Sequence, residues 1–331
     1  MIICKAPLRI SLGGGGTDLP SWYSKYGSYL ITAAINKYIY VTISERKIFK
    51  DYWISYSRVE NHAKLSNIEH TIIREILKNF EFSNGLEIHT ISELPGNTGM
   101  GSSGSLSVAI LHALAEYKKQ RIVKDDLAEK ASSIEMKINN YTSGKQDQYI
   151  STYGGLIELS ISKAGKVFSK RINISNKIKK KLSNNLFLIY SKKQRQASQV
   201  LTKQSKSLKS DFNKKKLMHT IQNLAYETRE ILKKGNLDQL GEIFDLHWET
   251  KKKFGNYMTT NAIDDLYYKL KLHGSTGGKI IGAGGGGFVL SYVPEINQTK
   301  FLNFLKKQKI QMIEWSFDNC GSQIVFNDKK T

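Results

Sequence analysis

The stretch Pro95-Gly96-Asn97-Thr98-Gly99-Met100-Gly101-Ser102-Ser103-Gly104-Ser105 runs without a break into an apolar stripe. In that stripe Leu106, Ala109, Ile110, Ala113, Leu114 and Tyr117 recur at i, i+3, i+4, i+7, i+8 and i+11. The spacing predicts an amphipathic helix. A helix start presents unpaired backbone N–H groups and the positive end of the helix dipole, so it attracts anions. Glycines let the backbone close on phosphate oxygens, and hydroxyls can donate to phosphate or ligate a metal. Taken alone, the stretch reads more readily as a plain glycine turn ahead of a helix.

Two more glycine-rich loops change that balance. Pro7-Leu8-Arg9-Ile10-Ser11-Leu12-Gly13-Gly14-Gly15-Gly16-Thr17-Asp18 lies near the start, and Gly282-Ala283-Gly284-Gly285-Gly286-Gly287 precedes an apolar strand at Phe288–Val293. None of the three ends in the Gly-Lys-Ser/Thr of a Walker loop, and none has the spacing and placement of a dinucleotide fingerprint. Singly, the first and third could be bulges or close strand contacts. Together, their order and flanks, from Lys5 to Phe288, resemble the GHMP kinase superfamily.

The resemblance implies an ATP-dependent kinase with Mg²⁺ as cofactor. It gives the phosphate cradle to the central loop, over Gly96, Asn97, Gly99, Met100, Gly101, Ser102, Ser103 and Gly104. The family's usual Leu and Ala are here Met100 and Gly104. Neither change removes a donor, although Gly104 lowers helix propensity by about 1 kcal/mol. Ser103 matches the Mg²⁺-ligating hydroxyl, and Glu135, on a helix, matches the Mg²⁺ carboxylate. Asp147, twelve positions on, matches the base beside the acceptor hydroxyl. A hard ion of this kind takes few protein ligands and leaves its other positions to water and phosphate. Arg9 matches a basic residue beside the transferring phosphate, where a cation stabilises the charge on its oxygens. By the same resemblance Gly15, Gly16, Thr17, Asp18 and Asp147, with Gly284 and Gly285, contact the acceptor. Gly14-Gly15 stand where galactokinases carry an acid and a His, which argues against galactose itself.

The wording of the motifs narrows the acceptor. Lys-Ala-Pro-Leu-Arg-Ile, then Gly-Gly-Gly-Gly-Thr-Asp, then Gly-Ala-Gly-Gly-Gly-Gly-Phe is similar to the bacterial D-glycero-D-manno-heptose 7-phosphate kinases, with part of the pattern shared by fucokinase domains. Gln194-Arg195-Gln196-Ala197-Ser198 is similar to the same subgroup. That subgroup phosphorylates the anomeric C1 hydroxyl, giving a 1,7-bisphosphate used to make GDP-heptose for surface polysaccharide. A phosphorylated acceptor needs its own cation. Arg195 is the expected contact, with Lys5, Lys192, Lys193 and Lys251–Lys253 as further candidates. A homodimer is left open.

Composition bounds the rest. The 331 residues suffice for two domains. Elements segregate unevenly, which predicts an α+β chain rather than a doubly wound sheet. A shift toward Lys, Asn and Ser over Lys177–Asn185 marks the expected boundary. The division is 1–182 for the N-terminal domain and 183–331 for the C-terminal one. The resemblance implies a ribosomal-protein-S5-domain-2-like first domain and a ferredoxin-like α/β second domain, with nucleotide between them. No apolar run suggests a membrane span. Cys4 and Cys320 are too few for a disulfide framework and lack metal-site spacing, so a reducing cytoplasm is the expected setting. Much of the formal net charge of +21 falls between Lys163 and Lys216, where Asp211 is the only acid. It reads as solvated lysine faces, with attraction of an anionic substrate next. Nucleic acid comes last, because the stretch favours lysine over arginine and no nucleic-acid-binding motif accompanies it.

Overall fold

The computed structural model describes residues 1–80, 82 and 85–328, so 81, 83, 84 and 329–331 of the two expected domains lie outside the described residues. The first half runs β1 (Ile2–Gly13), α1 (Pro20–Tyr26), β2 (Ser28–Arg46), β3 (Tyr52–Ser55), β4 (Val59–His62), α2 (Thr71–Leu77) and β5 (Gly85–Ser92). It continues with α3 (Ser102–Tyr117), α4 (Lys124–Ile138), α5 (Gln146–Tyr153), β6 (Leu156–Ile161) and β7 (Val167–Arg171). The second half opens with α6 (Asn176–Asn185), β8 (Leu186–Tyr190), α7 (Ala197–Ser210), α8 (Phe212–Lys234), α9 (Leu240–Lys252) and α10 (Asn261–Leu272). It closes with β9 (Gly277–Ile280), β10 (Phe288–Tyr292), α11 (Glu295–Lys307), β11 (Met312–Ile313) and β12 (Gln323–Asn327).

The long strand β2 organises the larger sheet. One edge pairs with β1, while the other pairs with β6 through Ser28–Ala33 and with β5 through Ile39–Arg46. The full path is β12-β1-β2-β5-β3-β4, with β7 beyond β6. The smaller sheet has the order β11-β8-β10-β9. All pairs are antiparallel except β3 with β5, the arrangement of an α+β protein.

Period-two alternation explains how the smaller sheet is buried on both sides. Phe288, Leu290 and Tyr292 of β10 join the large core that contains β1 and α3. Val289, between them, packs with Phe301, Phe304 and Leu305 of α11 and with Ile263 and Leu270 of α10. One apolar core thus spans both sheets.

Two expectations need correcting, and a third takes a definite structural form. The division at 182/183 assigns the chain's end to the second domain, yet β12 pairs with β1 in the first sheet. The lysine-rich stretch Lys177–Asn185, expected to mark the domain boundary, lies between β7 of the larger sheet and β8 of the smaller one. It forms α6, capped by the Ser175 hydroxyl, which accepts from the Ile178 N–H at 3.2 Å, and anchored by buried Leu182. Helix α3 is buried on nearly all sides rather than along one stripe, because β1, β2, α4 and α5 surround it.

Candidate active site

Strand β1 carries Arg9 past the start of α3. The carbonyl of Pro7 accepts from the hydroxyls of both Ser105 on α3 and Ser151 on α5, each at 2.8 Å, and those two hydroxyls lie 2.7 Å apart. Both serines are fully buried. This three-way contact fixes β1, α3 and α5 one turn away from the side chains that matter.

At the cleft, Arg9 Nε donates to Asp147 Oδ1 at 2.7 Å, and Nη1 donates to the Gly99 carbonyl at 2.5 Å. Arg9 is almost wholly enclosed, while Asp147, in the first turn of α5, keeps a face to the cleft. A Cβ at Gly101, the N-cap of α3, would stand 3.1 Å from Asp147 Oδ2, so the carboxylate sits directly under the glycine loop. Ser103 Oγ donates to Glu135 Oε1 at 2.7 Å, and Gln148 Nε2 donates to Glu135 Oε2 at 2.7 Å. Burial is the main cause that lifts the Glu135 carboxyl to about 7, against the Ser103 hydrogen bond that lowers it.

The second and third glycine loops meet at Gly99 and Gly282. Both are left-handed, with φ of 79° and 76°, and a Cβ at Gly282 would lie 2.7 Å from Gly99 Cα. Only glycine allows both the conformation and the approach. The first loop contributes Gly15, Gly16 and Asp18 to the lining. Asp18 Oδ2 accepts from the Gln146 N–H at 3.0 Å, and burial pushes its carboxyl above the ordinary range. Asn97, Gly99, Gly101, Ser102 and Ser103 complete the wall on the side of α3.

Several residues named from the sequence stand elsewhere. Thr17 is fully buried, its hydroxyl donating to the Gly14 carbonyl at 2.8 Å and lying 2.8 Å from Ser28 Oγ; it braces the loop and does not face the cleft. Met100 points into the core and meets the site only through its carbonyl, which accepts from the Arg9 N–H at 3.0 Å. Gly104 packs against α5 rather than lining the cleft. Gly96 is exposed outside the lining. The third loop reaches the cleft through Gly282 and Ala283, not through Gly284 and Gly285. Arg195 donates through Nη1 to the Tyr257 carbonyl at 2.7 Å and lies against Gly285, outside the lining.

The cleft also takes in Lys251, one of the further candidate cations, and polar residues to which the motifs assign no role. Ser11, Ser143, Gln146, Gln148, Gln204 and Lys251 all line the cleft. Lys251 is buried, its ammonium donates to the Gly282 carbonyl at 2.5 Å, and burial lowers its pKa to about 8. A readable signal existed for Gln204: with Val200 and Leu208 it forms an i, i+4, i+8 stripe on α7, a glutamine where a core helix would place leucine.

A phosphate chain held at the start of α3 would leave its outer oxygens beside Arg9 and an incoming hydroxyl beside Asp147, the geometry of a phosphotransferase with an alcohol as acceptor. The chain belongs to the GHMP kinases. The family model of the GHMP kinases N terminal domain matches residues 67–155, and that of the C terminal domain matches residues 228–310, together more than half of the chain. The D-glycero-alpha-D-manno-heptose 7-phosphate kinase of Campylobacter jejuni is 27% identical over 328 residues, covering 96% of each chain. The mevalonate kinase of Methanothermobacter thermautotrophicus is 25% identical over 81% of this chain and 84% of its own. Among solved structures, a D-glycero-D-manno-heptose 1-phosphate kinase from B. thetaiotaomicron superposes with a TM-score of 0.80 at 22% identity, covering 99% of both chains. Among the described residues no helix is long and apolar enough to cross a membrane.

Proposed function

We propose that this chain is a sugar kinase that transfers the γ-phosphoryl group of ATP to the anomeric C1 hydroxyl of D-glycero-D-manno-heptose 7-phosphate. The product is the 1,7-bisphosphate, an intermediate toward a nucleotide-activated heptose. The 2.7 Å contact between Arg9 and Asp147, directly under Gly101, carries the reading. The heptose acceptor is supported by the likeness to the Campylobacter jejuni enzyme along nearly the whole chain.

Asp147 orients the C1 hydroxyl and accepts its proton as the new O–P bond forms and the bond to the β-phosphate breaks, releasing ADP. An anomeric hydroxyl is more acidic than an ordinary alcohol, which eases that proton transfer. Arg9 faces the transferring group and stabilises the charge on its oxygens. The loop from Gly99 to Ser103 holds the phosphates through backbone N–H groups and hydroxyls. Ser103 Oγ and the Glu135 carboxylate would hold Mg²⁺. They fit it, because Glu135 is an enclosed carboxylate short of positive charge, and Mg²⁺ requires only one or two protein ligands. When bound, Mg²⁺ neutralises charge on the phosphates. Lys251, the lysine in the cleft lining, grips the acceptor's own phosphate in place of Arg195.

The test is phosphorus NMR of the products after incubation with ATP, Mg²⁺ and D-glycero-D-manno-heptose 7-phosphate. A new phosphate signal coupled to the anomeric proton is expected. Transfer to L-fucose or mevalonate, with none to the heptose phosphate, would replace the proposed acceptor.

A further inference from the structure

Among the described residues, four buried side-chain polar atoms of cleft-lining residues have no hydrogen-bond partner: one is an acceptor, Gln148 Oε1, and three are donors, Gln204 Nε2, Gln146 Nε2 and Ser143 Oγ. The residues of the three donors are 1%, 5% and 7% exposed, respectively. Native proteins rarely bury donors without acceptors, because such groups have lost water and gained nothing in return. The three come from separate parts of the chain. Ser143 lies in the turn after α4, Gln146 opens α5, and Gln204 is carried by α7 in the second half.

Folding does not account for Gln204. Val200 and Leu208, one turn either side, are buried with Trp22 and Met218 in an apolar cluster. A leucine at 204 would extend that stripe without stranding an amide. The first glycine loop comes close enough to present Gly16 beneath it, where a Cβ would stand 2.9 Å from Gln204 Nε2. Gln146 meets the same loop from the other side: its backbone N–H donates to Asp18, and its Oε1 accepts from the Ser11 hydroxyl at 3.5 Å. Ser102 and Ser103, proposed above to hold the phosphates, stand instead at the start of α3.

We propose that Gln204 is a specificity-determining residue which, paired with Gln146, donates to neighbouring hydroxyl oxygens of a polyhydroxylated acceptor. This deepens the sugar-kinase reading and rests on it. The amides hold the ring face of the sugar, while Asp18 accepts from a further hydroxyl and Asp147 serves the reacting one. An acceptor without hydroxyls at those positions leaves both donors stranded, so the enzyme discriminates by the cost of an unpaired group.

The experiment compares wild type with Gln204→Leu on D-glycero-D-manno-heptose 7-phosphate and on its single-deoxy analogues, measuring KM for acceptor and for ATP and the thermal midpoint. One neutral hydrogen bond is worth about tenfold, so the acceptor KM of Gln204→Leu is expected to rise by about that factor. The KM for ATP stays within about twofold, and the thermal midpoint does not fall, because a stranded donor has been removed. Wild type penalises one particular deoxy analogue, and the variant does not. If Gln204→Leu gives little folded protein, Gln146→Met is measured in its place, with the same selective rise expected at a different hydroxyl. An unchanged acceptor KM with unchanged discrimination, or a parallel rise in the KM for ATP, overturns the assignment. A wild type that phosphorylates mevalonate and no sugar overturns the underlying sugar-kinase reading, and this one with it.

Discussion

Gly104 of α3 faces Asp147 of α5 so closely that a Cβ at 104 would stand 2.6 Å from the Asp147 Cβ. The glycine that lowers the helix propensity of α3 therefore sets how near the carboxylate comes to the helix start. A methyl group there must push α5 outward or rotate Asp147 away from Arg9.

Gly104→Ala should therefore reverse the usual helix rule. Alanine gains about 1 kcal/mol of propensity, but forcing atoms into a packed contact costs about 1–3 kcal/mol. The protein is expected to be slightly less stable. Turnover should fall by about 100-fold, since a misplacement of the reacting groups by about 1 Å is enough for that. Steady-state kinetics beside a thermal melt checks both. Wild-type turnover in a folded variant would show that the approach has slack.

Lys251 sets a pH limit. Burial holds its ammonium near 8, so above that pH the cation for the acceptor's phosphate is lost and the acceptor KM should climb. Lys251→Arg, charged throughout, should remove the inflection. Stability moves the opposite way in the unliganded protein. Between about 8 and the ordinary lysine value the unfolded chain binds more protons than the folded one, so stability rises with pH across that window. An acceptor KM that stays flat from about pH 7 to 10 would contradict the role given to Lys251.

Glu135→Gln tests the metal assignment. Glutamine keeps an acceptor for Ser103 or Gln148 but cannot carry charge to a cation. The Mg²⁺ concentration for half-maximal activity should rise at least about tenfold, while the unliganded protein, freed of an enclosed carboxylate, should melt no lower. An unchanged Mg²⁺ requirement would move the metal elsewhere.

The glycine loops were legible because a loop that can cradle phosphate needs glycines and hydroxyls in a short run, whereas Arg9, Ser103, Glu135 and Asp147 were picked out by the resemblance and the fold brings all four to one cleft. Gly104 was legible as an oddity, yet its reason lies 43 positions on, at Asp147. Arg195 sat in a recognisable segment, but its partner, the Tyr257 carbonyl, is supplied by a turn 62 residues away. Lys251 was legible only as one candidate cation among several and Gln204 only as a polar residue on an apolar stripe, because their place in the cleft depends on α7 and α9 meeting the glycine loops at Gly16 and Gly282. The return of β12 to β1 was hidden for the same reason, since a strand's partner is chosen by tertiary fit.

Asp147→Asn, assayed for turnover and titrated directly with ATP, tests the central claim most directly. A loss of at least about 100-fold in kcat, with ATP affinity within about threefold of wild type, is expected of a base that touches only the acceptor. Turnover close to wild type would place the proton acceptor on another group and contradict the account.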